Sequence, residues 1–231
     1  MIAGFVNSAG FVLIGSFTSH VTGNVGRFAD DLALGKAIAP LALVLAIAFY
    51  VGSVAASMAI ESSDRARSGV YSGLLFIEAI LLAAFALLAH LMDTRSDAFR
   101  DIQASLLCLA MGMQNCLVTR LSGAVVRTTH LTGVVTDLGI ETARWFRHWR
   151  ASIASRAGVR LLVGEAQAVR PSTDRAALLL TITVAFVLGS MMGAITAVKV
   201  GAFALLLPAS ALAIGSAVSI WKLVSPNDDE G

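Results

Sequence analysis

The chain has 231 residues, of which 57% are hydrophobic and only 14% are charged, and its mean hydropathy is +0.79. This composition excludes an ordinary water-soluble globular domain and favours a membrane protein. The formal net charge is only +2 and the basic residues are dispersed among predicted loops, which argues against nucleic-acid binding.

Long uncharged or nearly uncharged stretches predict six transmembrane helices. A helix needs roughly 20 apolar residues to cross the hydrocarbon core. In chain order, the stretches that approach or exceed this length are 1–26, 37–60, 68–92, 102–119, 176–198 and 200–221. Backbone amides in hydrocarbon must be paired within their own segment, so these lengths favour helices over strands. We therefore predict an all-α polytopic membrane protein with a single transmembrane domain over 1–231.

The first stretch is the least regular of the six, because its second half is polar. No basic residue precedes Arg27, which disfavours a cleaved signal peptide. Met1 already lies in apolar sequence, which is also compatible with a first span that is truncated at its start.

Basic residues between the fourth and fifth stretches predict the orientation. Arginines recur along this connection, and seven of them lie from residue 144 onward: Arg144, Arg147, Arg150, Arg156, Arg160, Arg170 and Arg175. Connections rich in arginine stay in the cytoplasm. Counting spans from this connection predicts that both termini are cytoplasmic.

Two short motifs recur in the same order, which predicts an internal duplication. TSHVTGNV at 18–25 returns as TTHLTGVV at 128–135, 110 residues later. AFYVGS at 48–53 returns as AFVLGS at 185–190, 137 residues later. GFVN from Gly4 is echoed by GMQN from residue 112. Many transporters are built from such repeats.

We place repeat 1 at about 1–92 and repeat 2 at about 102–223. The difference between the two offsets predicts a basic amphipathic insertion at about 145–175, where Trp145 and Trp149 lie four residues apart. A helix in the membrane interface is expected there, and the alternative is a solvated loop. Three spans per repeat is an odd number, so the second repeat must be inverted relative to the first.

Polar residues and glycine interrupt the first helix of each predicted repeat. A broken helix exposes unpaired N–H groups that suit an anion and free carbonyls that suit a cation. We predict a binding site near the membrane centre where the two breaks meet, with hinges at Gly23 and Gly133. The predicted substrate-binding residues are Thr18, His20, Thr22, Asn24, Asn115, Arg127, Thr128, His130 and Thr132. The alternative is that the motifs only pack helices or form interfacial turns.

Two acidic residues are candidates for coupling. Glu78 is the only formal charge in 68–92, and Asp137 follows the second motif. Glu78 is expected either to take part in coupling or a proton relay, or to reach the lipid headgroups. Neither His20 nor His130 has further ligands at the spacing of a metal cluster, so no metal or cofactor is predicted. The common enzyme signatures are missing, and we predict no catalytic activity.

Small residues in the second span of each repeat predict close helix packing. They include Gly52 and Ser53 in the first repeat, and Gly189, Ser190 and Gly193 in the second. Glycine lets two helix backbones approach each other in the membrane.

The motifs also carry a family resemblance. GFVNSAGFVLIGSFTSHVTGN from Gly4, together with AMGMQNCLVTRLSGAVVRTTHLTGVVTDLGI from Ala110, resembles the YoaK family of uncharacterised bacterial inner-membrane proteins. The resemblance covers nearly the whole chain and implies a multi-pass protein of the bacterial inner membrane, without an established substrate. That family often has an acidic residue at the position of Asn7, so acid-dependent coupling at this position is in doubt here.

The function that these features favour is a secondary transporter or channel for a small solute, with an anion preferred. The competing hypothesis is a non-transport membrane protein, such as a lipid-interacting or scaffolding subunit. The expected partners are the lipid bilayer and a small solute or ion, and a homo-oligomer is compatible with the pattern.

Overall fold

The described residues form helices joined by short connections and contain no strand. The computed structural model describes residues 1–36, 39–62, 67–91, 97–121, 131–156 and 172–225. The helices are α1 (Ile2–Ile14), α2 (Val21–Ala33), α3 (Ala39–Glu61), α4 (Arg67–Leu91), α5 (Asp97–Leu121), α6 (Leu131–Arg156), α7 (Thr173–Val200) and α8 (Leu206–Val224), with a 3-10 turn at Gly201–Leu205. The prediction of an all-α protein is confirmed for these residues.

Within the part of the chain that the structure describes, four stretches are long and apolar enough to cross a membrane. They are Pro40–Glu61, Gly69–Leu91, Phe99–Leu121 and the 50-residue stretch Thr173–Lys222. The last stretch includes α7, the 3-10 turn and most of α8. The 13-residue helix α1 is apolar but spans only about 20 Å, less than the hydrocarbon core. These helices are compatible with a multi-pass membrane protein.

The chain divides into two compact units. The larger unit contains Met1–Thr129 and Phe186–Gly231, and the smaller unit contains His130–Ala185. In the larger unit α3 packs along α5, α4 packs against α5 and α8, and α2 packs against α3. Helix α1 contacts α5 and the 3-10 turn, and its side chains join the main apolar core of this unit.

Helices α3 and α5 cross in close contact at two glycines, Gly52 and Gly112. A Cβ atom added at Gly52 would clash with the carbonyl oxygen of Leu109, and one added at Gly112 would clash with that of Phe49. Ser53 Oγ donates a hydrogen bond to the carbonyl oxygen of Gly112 at 3.0 Å. The two backbones therefore touch directly, which only glycine allows at these positions.

Helices α1 and α7 cross in the same manner. Gly189 and Gly193 lie against the carbonyl oxygens of Met1 and Phe5, and a Cβ atom added at either glycine would clash with them. Ser190 Oγ donates a hydrogen bond to the carbonyl oxygen of Gly4 at 3.3 Å. The predicted role of these small residues in close helix packing is confirmed.

The smaller unit contains α6 and the beginning of α7. Residues 145–156 continue α6, so this part of the predicted amphipathic insertion is the second half of a longer helix. Trp145 and Trp149 are both exposed. Residues 157–171, which complete the predicted insertion, lie outside the described residues.

Candidate functional site

The first helix ends at Ile14, and helical structure resumes only at Val21. Gly15 adopts a left-handed conformation, with φ of 72°, and its N–H donates to the carbonyl oxygen of Phe11 at 2.9 Å. Glycine suits this helix end because a side chain would be strained at positive φ. The break thus precedes the predicted hinge Gly23, which lies in the first turn of α2.

After Gly15 the chain folds back along α1. Ser19 donates from its backbone N–H and its Oγ to Oδ1 of Asn7, at 3.1 and 2.9 Å. The ring of Phe17 stacks on that of Phe11, with centroids 4.3 Å apart. Asn7 is buried in the middle of an apolar helix. Its amide oxygen therefore holds the returning segment in place.

The residues of the first motif differ in their surroundings. Thr18 is 1% exposed, packs its methyl group near Gly10, and has no hydrogen-bond partner for its Oγ1 among the described residues. Asn24 is also buried, whereas His20 and Thr22 are exposed. Of the predicted substrate-binding residues of this motif, only Thr18 and Asn24 thus lie in the protein interior.

Much of the second motif falls outside the described residues, including Arg127, Thr128 and His130. Thr132 and Gly133 are exposed in the first turn of α6. The predicted meeting of the two breaks stays a prediction.

The other predicted residues of the second half lie on α5 and α6. Asp137 forms an ion pair with Arg175, with an N–O distance of 3.2 Å. Asn115 is half-buried on α5.

A buried carboxyl group lies near the middle of α4. Glu78 is 0% exposed, and Gln114 on α5 donates from Nε2 to Oε1 of Glu78 at 2.7 Å. Neither Oε2 of Glu78 nor Oε1 of Gln114 has a hydrogen-bond partner among the described residues. This burial disagrees with the alternative in which Glu78 reaches the headgroups. Ionisable groups at such depth are costly and usually functional.

Beyond this pair, the interior between α4 and α5 is apolar for about three turns. The fully buried side chains that fill it, which we name the apolar column, are Leu82, Phe85, Leu107 and Met111. The column separates Glu78 from Ala89, which lies about 16 Å further along α4. In this conformation, packed side chains close off the carboxyl group from that direction.

A cavity of about 350 Å³ lies at the far end of the apolar column. It is lined by Leu13, Ile14, Phe85, Ala89, Arg100, Gln103 and Ala202. Gln103 is 2% exposed, and its Nε2 has no hydrogen-bond partner among the described residues. Arg100 is exposed and belongs to the first turn of α5. The cavity also borders the end of α1, where the chain turns back.

Two other buried carboxylates are compensated by cations. In the larger unit, Asp31 lies 2.9 Å from Nζ of Lys36 and 3.7 Å from Nε of Arg27. In the smaller unit, Glu141 pairs with Arg144 and lies 3.9 Å from Nε of Arg175. Each of these two acids forms ion pairs with cationic side chains, whereas Glu78 has no cationic partner among the described residues. This pairing fits a structural role for Asp31 and Glu141.

Within the described ranges, no three His, Cys, Asp or Glu side chains are grouped so that they could hold a metal ion. Cys108 is buried, Cys116 is half-buried, and neither forms a disulfide.

Comparison with known proteins gives a family. The sequence profile described as "Protein of unknown function (DUF1275)" matches residues 1–218. The chain belongs to the DUF1275 family. No curated protein and no solved structure matches it. For this DUF1275 protein the narrower likeness to YoaK proteins stays a resemblance.

The sequence prediction missed two glutamines of the DUF1275 chain that the structure places at the site. Gln103 and Gln114 lie eleven residues apart in an otherwise largely apolar stretch. Eleven residues make about three helical turns, so the two amides share one face of α5. That spacing was the available signal. Their alignment with Glu78 and the cavity depends on how α4 packs against α5, which the sequence does not state.

Proposed function

We propose that this protein is a secondary transporter for a small solute, in which Glu78 and Gln114 form the coupling centre. The observation that carries the proposal is the complete burial of Glu78 beside one neutral amide, with its second oxygen unpaired among the described residues. A structural carboxylate in a membrane interior would ordinarily be paired with a cation.

The pair suggests how coupling works. Gln114 keeps one oxygen of Glu78 hydrogen-bonded, and the other oxygen is left to hold a proton or accept a cation. The protonated, neutral carboxyl group suits closed apolar surroundings, whereas the charged form needs water or a cation nearby. Opening of the apolar column would bring water or a cation to Glu78. Loading of Glu78 and opening of the path are then linked, as alternating access requires.

The path in this proposal runs from the cavity at Arg100 through the apolar column to Glu78. The column is packed, so the structure corresponds to a state closed on the cavity side. Thr18 and Asn24, the buried residues of the first break, belong to the same unit.

The architecture that accompanies this proposal has six spans in two inverted repeats. A continuous helix over Thr173–Lys222 would measure about 75 Å, more than twice the hydrocarbon thickness, which supports two crossings there. With α1 and α2 supplying one interrupted span, the total is six.

The two glycine crossings support the repeats. Ser53 donates to the carbonyl oxygen of Gly112, and Ser190 donates to that of Gly4. The motif matches pair Ser53 with Ser190 and Gly4 with Gly112, so the two hydrogen bonds join equivalent residues of the two repeats. Helix α1 of the first repeat thus packs on the second helix of the other repeat, and the reverse holds for α5. The buried acids Asp31 and Glu141 also lie 110 residues apart, the offset of the first motif.

The proposed location is the bacterial inner membrane, with both termini in the cytoplasm. Support comes from the arginines on α6 and at the beginning of α7, and from the family resemblance. This orientation places Arg100 and the cavity on the opposite face, outside the cytoplasm.

Flux measurements in proteoliposomes test the function. Solute uptake and internal pH are followed for a panel of small anions, cations and metabolites, with the parent, Glu78→Gln and Asp30→Asn compared at equal protein content. Asp30→Asn is the matched control, since Asp30 is an exposed carboxylate on α2. We expect a solute flux that an imposed pH gradient drives in the parent and in Asp30→Asn, and a loss of that dependence in Glu78→Gln.

Two results would contradict the proposal. One is the absence of flux for every solute in protein that is demonstrably folded. The other is an equal response to the pH gradient in Glu78→Gln and the parent.

A non-transport role in lipid interaction is the second candidate, and the exposed face of α6 favours it. Trp145, Phe146 and Trp149 are exposed there beside Arg150. Aromatic and basic side chains on one helix suit an anionic lipid surface. No flux, combined with lipid binding that depends on Trp145 and Trp149, would favour this candidate.

A further inference from the structure

We propose that the cavity between α1, α4, α5 and the 3-10 turn is a binding site for a small organic monocarboxylate, held through Arg100 and Gln103. The inference names a solute class for the proposed transporter. The claim that this ligand is transported rests on the proposed function, whereas the claim that it binds in the cavity does not.

Arg100 supplies the charge that such a ligand needs. It lines the cavity, is exposed, and forms no ion pair with a described residue. A guanidinium group is planar and offers paired N–H donors that match the two oxygens of a carboxylate. Among the described residues of the lining, Arg100 alone is charged, which favours an anion with a single charge.

Gln103 supplies a second donor on the same side of the cavity. It lies three residues after Arg100 on α5, so both side chains belong to one face of the helix. Its Nε2 is buried and unpaired among the described residues. Buried amide donors are rarely left without a partner in folded proteins. A ligand oxygen beside Arg100 would give this amide its missing acceptor.

The rest of the cavity selects for an apolar body. The remaining lining residues are Leu13, Ile14, Phe85, Ala89 and Ala202. The volume of about 350 Å³ lies at the lower end of the range of about 300–1,000 Å³ found for small-molecule sites. The fitting ligand is therefore an aromatic or aliphatic monocarboxylic acid rather than a phosphate or a dicarboxylate.

Two sources could provide this chemistry. A free acid in solution carries a carboxylate on an apolar body, and so does a fatty acid in the bilayer. Arg100 lies near the beginning of the candidate span Phe99–Leu121, a depth that both can reach. Chain length separates them in a competition experiment.

The test is direct binding of radiolabelled benzoate to the purified full-length chain in detergent, measured by scintillation proximity. Unlabelled benzoate, hexanoate, palmitate and the neutral benzamide serve as competitors. We expect the carboxylates to compete and benzamide to fail. Arg100→Gln should weaken benzoate binding by at least about tenfold, and Gln103→Leu by roughly three- to tenfold, since each removes a hydrogen bond to a charged group.

Arg150→Gln is the matched control, because Arg150 is an exposed arginine on α6. It should bind benzoate as the parent does. Arg100→Lys keeps the charge but loses the paired donors, so it should bind with intermediate affinity, and it serves as the second variant if Arg100→Gln fails to fold. Size-exclusion chromatography in detergent confirms the folded state of each variant.

Competition by hexanoate supports a free acid as the ligand, and competition by palmitate alone supports a fatty acid. Equal affinity of the parent and the folded Arg100 variants overturns the site, and so does competition by benzamide as strong as by benzoate. No binding of any tested carboxylate overturns it as well. Carboxylate binding without flux of any solute leaves the site standing and contradicts transport. Flux of another solute without carboxylate binding overturns the site and leaves the transport function standing.

Discussion

Asn7 shows how much one residue decides at the scale of the side chain. Its amide oxygen accepts two hydrogen bonds from Ser19, and these bonds hold the segment after Gly15 against α1. A buried backbone N–H that loses its acceptor remains unsatisfied, since no water replaces the acceptor in a packed interior.

Replacing Asn7 with leucine should therefore destabilise the protein by about 1–3 kcal/mol, the usual cost of a buried group left unpaired. Asn7→Asp retains an oxygen acceptor and should cost less. Thermal unfolding in detergent, followed by circular dichroism, measures both changes. Equal stability of Asn7→Leu and the parent would show that Ser19 finds another acceptor.

The Glu78–Gln114 pair permits a double-mutant cycle. Gln114→Leu removes the one donor to Glu78 and should destabilise the protein by about 1–3 kcal/mol. Glu78→Leu combined with Gln114→Leu replaces both polar groups with apolar ones, and we expect it to be more stable than Gln114→Leu alone. Unfolding in detergent gives the stabilities, and proteoliposome flux gives the function.

That cycle distinguishes a functional pair from a structural one. A pair kept for function gives a double variant that is stable but inactive. A double variant less stable than either single variant would indicate that the pair holds the fold together, contrary to the proposed role.

At the scale of helices, the two glycine crossings decide which elements touch. Gly52→Ala and Gly189→Ala each place a Cβ against a backbone carbonyl, which cannot turn aside as a side chain can. We expect each to destabilise the protein by about 1–3 kcal/mol or to reduce its yield of folded protein. The measurement is the midpoint of thermal unfolding together with the yield after size exclusion.

Gly73→Ala is the control for this pair. Nothing lies within 4 Å of a Cβ added at Gly73 on α4, so alanine should be neutral or should stabilise the helix by up to about 1 kcal/mol. Similar losses at Gly52, Gly189 and Gly73 would mean that the close crossings are not the cause.

The sequence predicts some of these elements and not others, for physical reasons. Small residues at Gly52 and Gly189 indicate close packing because packing in a membrane depends on them. The position of the first break was less determined, because several glycines and polar residues compete near Gly23. The helix breaks at Gly15, and the hydrogen bonds between Ser19 and Asn7 hold the segment that follows the break. These bonds are tertiary contacts, which the sequence does not show.

The residues of the candidate site also divide into those that the sequence predicts and those that it does not. Glu78 is visible in the sequence because it is a charge within an apolar stretch. Its partner Gln114 and the cavity residue Gln103 could not be assigned, since their roles depend on the alignment of α4 with α5. Sequence periodicity gives the buried face of a helix, but not the level at which two faces meet.

At the scale of the whole molecule, inverted repeats predict opposite orientations for equivalent loops. In the proposed topology Asp30 on α2 lies outside the cytoplasm and Arg150 on α6 lies inside. Asp30→Cys and Arg150→Cys, each in a background with Cys108 and Cys116 replaced by alanine, test this with a membrane-impermeant maleimide on intact cells.

We expect Asp30→Cys to be labelled on intact cells and Arg150→Cys only after permeabilisation. Both side chains are exposed, so burial should not prevent labelling. Labelling of both positions on intact cells, or of neither, would contradict inversion.

The crossing of α1 with α7 has a consequence for biosynthesis. Ser190 and its acceptor Gly4 are separated by 186 residues of chain. At about 5–20 residues per second, the ribosome needs roughly 10–40 s to deliver α7 after α1 has emerged. During that interval the face of α1 around Gly4, which packs on α7 in the folded protein, has no permanent neighbour. Newly made α1 must be kept by lipid or by the insertion machinery until α7 arrives.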